Sequence, residues 1–451
     1  MAELTFIGAA GTVTGSKHLI TTQGKHFLID CGLFQGTADV VALNEQPLPI
    51  APSEIEAVVV THGHIDHIGY LPKLVRDGFT GPIYCTPVTA ALIDIVLEDA
   101  VGLQRHLQKR GFQNERPQAP PLFYEEADVQ ATFRALRAVP LESDFTVCGA
   151  TARFKYAAHI IGSAFVELNI EGKRWAFSGD IGRYGRPLLY DPAPIGAVDV
   201  LLCESTYGDR VHPPQPLEEL RAVLIAGIKR GGAVVIPAFA VERTQDILLA
   251  IGTLQAQDPE LANVPVHLDS PMAAKVDSLF ERFPDAHRPI PADTPATPFG
   301  CDNLTVDITT EQSKLLNALE GPHIILSASG MAAGGRVLHH LHNNIPRADS
   351  TVVFVGFQGA GTLGFFLTHG AQTIKIFGDT LPVRAQVVSI QGYSAHADRN
   401  ELGRWLATAT TKPKFFSIHG DPSSAAALAQ LARDTYGFDA AIAERGTTVT
   451  I

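Results

Sequence analysis

The chain is short of the features that mark several common classes. Its five cysteines, Cys31, Cys85, Cys148, Cys203 and Cys301, are odd in number, far apart and never arranged as C-x-x-C. That argues against a disulfide framework or a zinc knuckle and points to buried thiols. No apolar run approaches the length of a membrane span, and Met1-Ala2-Glu3-Leu4-Thr5-Phe6 shows no basic region followed by an apolar segment. The expectation is a cytoplasmic protein with no membrane partner. Positive charge is also scarce: a net charge of -12 argues against coating nucleic acid through a broad basic surface. A local positive groove remains compatible with that balance, because bound metal ions can supply much of the field at a phosphate. No internal repeat or low-complexity tail is evident.

What is present suits an ordinary soluble fold. Hydrophobic residues make up 45 % and charged residues 18 % of 451 positions, a length that suggests two or three domains. Short strand-like runs at 4–7 and 26–29 flank the turn Gly8-Ala9-Ala10-Gly11. Helical periodicity covers about 86–110, and strands return over 145–178 with a hairpin turn at Glu171-Gly172-Lys173. This mixture predicts a layered α+β domain. After Glu204 the apolar runs 233–236, 264–268, 323–326 and 351–355 alternate with helical segments. That alternation predicts an α/β domain with a mostly parallel sheet over about 206–383. The proline-rich stretch 283–299 reads as a surface loop within it.

The segment Thr61-His62-Gly63-His64-Ile65-Asp66-His67 follows the apolar run 57–60 directly. Three imidazoles and a carboxylate in six residues suit zinc, and a loop leaving a strand can aim neighbouring side chains at two points. This is the pattern of a two-metal hydrolase centre. Four clustered side chains cannot enclose two ions, so further ligands must come from elsewhere in the chain. Candidates are His159, Asp180 and His419, each where an apolar strand gives way to a glycine-containing turn. The cluster His339, His340 and His342 is a weaker candidate, since only some of these can face together on a helix.

The ordered series Asp30, His62-Gly63-His64-Ile65-Asp66-His67, His159, Asp180 resembles the successive motifs of the metallo-β-lactamase superfamily. Three further elements, Cys203-Glu204-Ser205-Thr206-Tyr207-Gly208-Asp209-Arg210, Ser394-Ala395-His396-Ala397-Asp398 and Ser417-Ile418-His419-Gly420, resemble the extra motifs of its β-CASP ribonuclease family. That family includes the nuclease subunit of the pre-mRNA 3′-end cleavage factor and its prokaryotic relatives. The resemblance implies an αββα sandwich formed by 1–205 and 384–451, with a β-CASP domain inserted over 206–383 and the active site in the cleft between them. It also implies two Zn²⁺: His62, His64 and His159 on one, Asp66, His67 and His419 on the other, and Asp180 bridging both. Asp30 would orient ligating side chains from behind.

The implied activity is hydrolysis of phosphodiester bonds in single-stranded RNA, by internal cutting or 5′-3′ trimming, through a metal-bridged hydroxide. Two zinc ions about 3.5 to 4 Å apart would both generate the nucleophile and offset phosphoryl charge. Asp66 counts among the catalytic residues as well as the ligands. The leaving oxygen needs a proton, for which His396 is the best candidate, with Glu204 orienting it and raising its pKa. Backbone phosphates would meet Ser329, Gly330 and Arg336 in the loop 327–336, with Arg243 and Ser270 as lining residues at comparable strand ends. Phe365-Phe366 stands where the family often has a basic residue, which implies one phosphate contact fewer. His419 favours RNA over DNA by analogy, and a homodimer through C-terminal elements is implied as a partner state. Two other functions fit parts of the pattern: a small-molecule hydrolase of esters, thioesters or lactams, and a non-catalytic RNA-binding subunit, which would have lost metal ligands.

Overall fold

A computed structural model describes residues 1–113, 123–214, 216–289, 298–301 and 303–451. Part of the proline-rich stretch 283–299 therefore lies outside the described residues. The chain divides into two compact units, Met1–Val211 with His396–Ile451, and His212–Ala395.

The first unit is built on two seven-stranded sheets. One runs in the order Thr448–Thr450, Glu3–Phe6, His18–Thr22, Lys25–Ile29, Ile55–Val59, Ile83–Cys85, Leu136–Ala138. The other runs Asp439–Ile442, Lys414–Ile418, Val200–Glu204, Lys173–Phe177, Ala164–Ile170, Ala150–Tyr156, Asp144–Val147. The turn at Glu171-Gly172 closes an antiparallel hairpin with Ile170 opposite Lys173. Phe6, Ile20, Phe27 and Val59 of the first sheet share one core with Phe154, Val166, Trp175, Leu202 and Phe416 of the second. Each such side chain withdrawn fully from water contributes about 1.5–3 kcal/mol. Successive residues of the second sheet point to opposite faces. Thus Phe165, Ala176, Leu201 and Phe415 meet the outer helices Arg399–Leu406 and Pro422–Tyr436 through Trp405 and Leu428. Burial on both faces explains why these strands read as continuous apolar runs without a polar alternation. Beside the first sheet, helices Pro87–Gln113 and Glu126–Ala135 pack on each other, and the former also on strand Leu136–Ala138. The result is an αββα sandwich.

The second unit holds a six-stranded sheet, parallel throughout, in the order Leu304–Val306, Val266–Asp269, His323–Ser327, Ala233–Pro237, Thr351–Phe354, Gln386–Ser389. Its four inner strands coincide with the four apolar runs of the sequence. Helix Val337–Asn344 covers one face through Val337 and Leu341, packed with Val235, Ile325 and Phe354. Parallel strands require such crossovers, so the carboxyl ends of all six share one edge. Among the described residues no helix is long and apolar enough to cross a membrane. The five cysteines are free thiols, four of them buried.

Candidate metal centre

Strand ends position the chemistry. Asp30 follows Lys25–Ile29, His62 and His64 lie in the loop after Ile55–Val59, Asp66 and His67 on the short helix Ile65–Ile68 that it leads into, His159 follows Ala150–Tyr156, Asp180 follows Lys173–Phe177, and His419 follows Lys414–Ile418. Sharp left-handed bends aim them: φ is 58° at Asp30 and 49° at His419, and 65° and 52° at Ala158 and Gly179, just before His159 and Asp180. For the three residues that carry a Cβ this backbone is unfavourable by roughly 1–2 kcal/mol, a strain that clusters at functional sites.

Two groups of donors result. His64 Nδ1 lies 3.2 Å from both His62 Nε2 and His159 Nε2. Asp180 Oδ2 lies 3.4 Å from His62 Nε2 and 3.5 Å from His159 Nε2. On the other side, His67 Nε2 and His419 Nε2 are 3.2 Å apart, with Asp66 Oδ2 3.3 Å from the latter. Asp180 Oδ1 lies 3.5 Å from His67 Nε2 and from His419 Nδ1. The two oxygens of Asp180 thus face the two groups separately.

The donor set fits zinc. Ligands 2.0–2.1 Å from a tetrahedral ion stand about 3.3 Å from one another, which is the spacing seen here. Burial holds His62 and His159 well below the ordinary imidazole range and His64 down to about 4, so three lone pairs converge on one point. Burial also opposes charge on His67, but Asp180, Asp30 and Asp66 outweigh it and push its pKa well up. Burial favours a neutral Asp180, yet His419, His67, His396 and His62 hold it well below the carboxylate range. Asp180 Oδ1 is buried with no hydrogen-bond donor among the described residues, an acceptor that suits a cation.

Behind these donors a set of hydroxyls and one carboxylate fixes orientation. Asp30 Oδ2 accepts from His67 Nδ1 at 2.7 Å and from Thr61 Oγ1 at 2.9 Å, while Oδ1 accepts from the Thr61 amide. His67 must then present Nε2 to the centre, the arrangement expected of an oriented metal ligand. Ser163 Oγ accepts from the His159 amide, and Thr206 Oγ1 lies 3.1 Å from His419 Nδ1. Sequence reasoning missed Thr61, Ser163, Ser178 and Thr206, since isolated hydroxyls carry no periodic signal.

His396 stands at the rim, 19 % exposed, with Nδ1 3.1 Å from Glu204 Oε1 and 3.9 Å from Asp180 Oδ2. Glu204 is buried and fixed, accepting from the Ile181 and Thr206 amides, while its own amide donates to Ser178 Oγ. Burial pulls the His396 pKa down, but Glu204 and Asp180 raise it to about 9.

The remaining candidates lie in the second unit, at the carboxyl edge of the parallel sheet. Arg243 starts the helix Arg243–Gln257, is buried, and donates Nη1 to the Val355 carbonyl. Ser270 caps Pro271–Arg282 by accepting from the Ala273 amide. Ser329 Oγ accepts from the Ala333 amide, and the Gly330 carbonyl from Gln358. Arg336 donates to Asp269 Oδ1 at 2.6 Å and to the carbonyls of Asp307 and Ile308. Of the three helix histidines, His340 is buried against Asp269, whereas His339 and His342 both lie against the Phe377 ring and His342 pairs with Asp379 at the surface.

Gly32 offers a direct check on the second donor group. A Cβ there would fall 1.6 Å from the Asp66 carbonyl oxygen and 2.5 Å from the His67 nitrogen. Gly32→Ala should destabilise by at least about 1–3 kcal/mol and displace both candidate ligands. Zinc content below that of wild type at a lowered Tm is the expected result, and an unchanged stoichiometry and Tm would contradict this placement.

Comparison with known proteins agrees with this architecture. Residues 11–255 match the model of the metallo-beta-lactamase superfamily, 244–367 the Beta-Casp domain, and 380–443 the Zn-dependent metallo-hydrolase RNA specificity domain. Ribonuclease TTHA0252 of Thermus thermophilus is 39 % identical over 435 residues, 94 % of each chain. An RNase J-like protein of Methanocaldococcus jannaschii is 29 % identical over the whole of both chains. The transcription termination factor FttA of the same organism is 30 % identical over 96 % of this chain and 69 % of its own length. A crystal structure of a protein of unknown function from Enterococcus faecalis shares the fold over both whole chains, with a TM-score of 0.54 at 14 % identity. The chain belongs to the metallo-β-lactamase superfamily, within the branch that carries an inserted β-CASP domain.

Proposed function

We propose that the protein is a dizinc ribonuclease hydrolysing phosphodiester bonds of single-stranded RNA. The observation that carries this reading is the pair of donor groups sharing Asp180, with His396 held by Glu204 beside them. His62, His64 and His159 would hold one zinc, Asp66, His67 and His419 the second, and Asp180 both. When bound, the two ions supply an acidified water as nucleophile and positive charge against the phosphoryl oxygens. Asp30 keeps the His67 lone pair on Nε2, and Asp66 would act as a catalytic residue as well as a ligand. With Nδ1 engaged by Glu204, His396 delivers a proton from Nε2 to the departing 3′-oxygen, so the products are a 5′-phosphate and a 3′-hydroxyl. The carboxyl edge of the second unit's sheet, with Ser270, Ser329 and Gly330, is assigned to backbone phosphates through amide groups. Arg243 and Arg336 shape those loops, since their guanidinium groups bind carbonyls and Asp269.

The test is cleavage of matched single-stranded RNA and DNA oligonucleotides, labelled at either end, alongside ester, thioester and lactam substrates. RNA cleavage lost on chelation supports the proposal, and the two label ladders separate internal cutting from trimming. Turnover of the small molecules with RNA left intact would select the alternative.

The Glu204–His396 pair makes a pH prediction. A general acid must be protonated, and His396 has a raised pKa, so its contribution is full at neutral pH and is lost as pH rises through that value. Removing the Glu204 charge removes part of the stabilisation of the protonated form. Glu204→Gln should therefore shift the alkaline limb of kcat/KM acidward by about 1 pH unit or more. An unshifted limb in a folded variant would separate Glu204 from the acid.

A further inference from the structure

Against His67 and His419 lies a small cavity whose polar lining is Ser16, His18, Asp30 and those two imidazoles. Asp66 and Asp180 do not line it. The cavity thus adjoins two residues of the second donor group and Asp30, which binds one of them. His18 opens the strand His18–Thr22, where its backbone pairs with Phe6 and Ile29. Its ring is held between Phe6, edge-on at 6.0 Å, and Phe177 at 6.4 Å.

His18 is 2 % exposed, yet neither ring nitrogen has a hydrogen-bond partner among the described residues. Burial first, then His67, His419 and Lys17, lower its pKa to about 3, so the ring is neutral and offers one donor and one acceptor. A buried polar side chain with both nitrogens unmet calls for a partner. The cavity has room for about one water molecule, and most of its wall is apolar. The other polar groups on the cavity are Asp30, whose Oδ2 already accepts from Thr61 and His67, and Ser16, whose Oγ lies 3.5 Å from that oxygen.

We propose that one buried water occupies this cavity and bridges a His18 ring nitrogen to the Ser16–Asp30 pair, which makes His18 a positioning residue for His67. The chain of contacts runs from His18 through the water to Asp30, and from Asp30 Oδ2 to His67 Nδ1. His62, His64 and His159 do not line the cavity, and Asp30 reaches His62 only through Thr61 Oγ1, so the effect is expected on the His67 site. The proposal rests on the zinc reading of the donor groups and not on the choice of RNA as substrate.

Two measurements on the full chain test it. Competition with a chromophoric chelator reports the two zinc affinities without any substrate. His18→Phe should weaken one zinc about tenfold and leave the other unchanged, while His18→Gln, which keeps a donor and an acceptor, should stay within about threefold of wild type. A crystal structure of the zinc-loaded protein should show density for a water within hydrogen-bond distance of His18 and of Ser16 or Asp30. No density there, or two wild-type affinities in folded His18→Phe, would overturn the proposal. If His18→Phe does not fold, the wild-type crystal structure and His18→Gln decide. A wild-type chain that binds no zinc would instead sink the metal reading, a different and visible failure.

Discussion

Asp180→Ala should abolish binding of both zinc ions at stoichiometric metal and reduce RNA cleavage by roughly 10³-fold or more. The reason lies in geometry and charge together. One oxygen of Asp180 serves the His62–His64–His159 group and the other the Asp66–His67–His419 group. Without it the first group is three neutral imidazoles with no charge to offset an ion. The second keeps Asp66 but loses the carboxylate oxygen that lies 3.5 Å from His67 Nε2 and His419 Nδ1. Asp180→Asn separates these effects, because it keeps the volume and one acceptor oxygen while removing the charge. It should retain the fold and bind zinc more weakly than wild type, as read by metal analysis after dialysis. If either variant keeps two tightly bound ions and full turnover, Asp180 does not bridge.

His396→Ala should behave in the opposite way: zinc content unchanged, RNA turnover lower by about 10²–10⁴-fold. His396 lies 3.9 Å from Asp180 and packs on the His159 ring at 4.4 Å, but it belongs to neither donor group, so its loss removes no ligand. What disappears is the proton for the departing 3′-oxygen, a poor leaving group without it. The sharper readout is therefore dependence on the leaving group. With a bis-p-nitrophenyl phosphodiester, whose phenolate departs unaided, the variant should lose far less than with RNA. Equal losses on both substrates would assign His396 a role in binding or in shaping the centre, and full activity on RNA would remove it from the mechanism.

The site was unevenly legible from sequence, for physical reasons. His62, His64, Asp66 and His67 are conspicuous because four donors fall in six residues after a buried strand, a density with little use except to hold metal. His159, Asp180 and His419 carry only a positional signal, a strand end beside glycine, and their convergence depends on how two sheets stack. The left-handed backbone at Asp30, Ala158 and His419 is invisible in sequence, since none of these residue types demands it. The supporting hydroxyls of Thr61, Ser178 and Thr206 likewise act through contacts made only in three dimensions. In the second unit the four inner strands announce themselves as apolar runs buried on both faces. The edge strands Leu304–Val306 and Gln386–Ser389 do not, because they are short and largely half-buried or exposed. Arg336 is a different case: an arginine in a glycine-rich loop reads as a phosphate contact, and sequence does not show that its guanidinium also binds Asp269 and two carbonyls.

The most direct test of the central claim is a titration of metal-stripped protein with zinc, following occupancy and cleavage of single-stranded RNA in the same samples. The account predicts that cleavage rises with the second equivalent, saturates at two, and leaves 5′-phosphate ends. Cleavage that is complete without zinc, or RNA left intact by protein carrying two zinc ions, would contradict it.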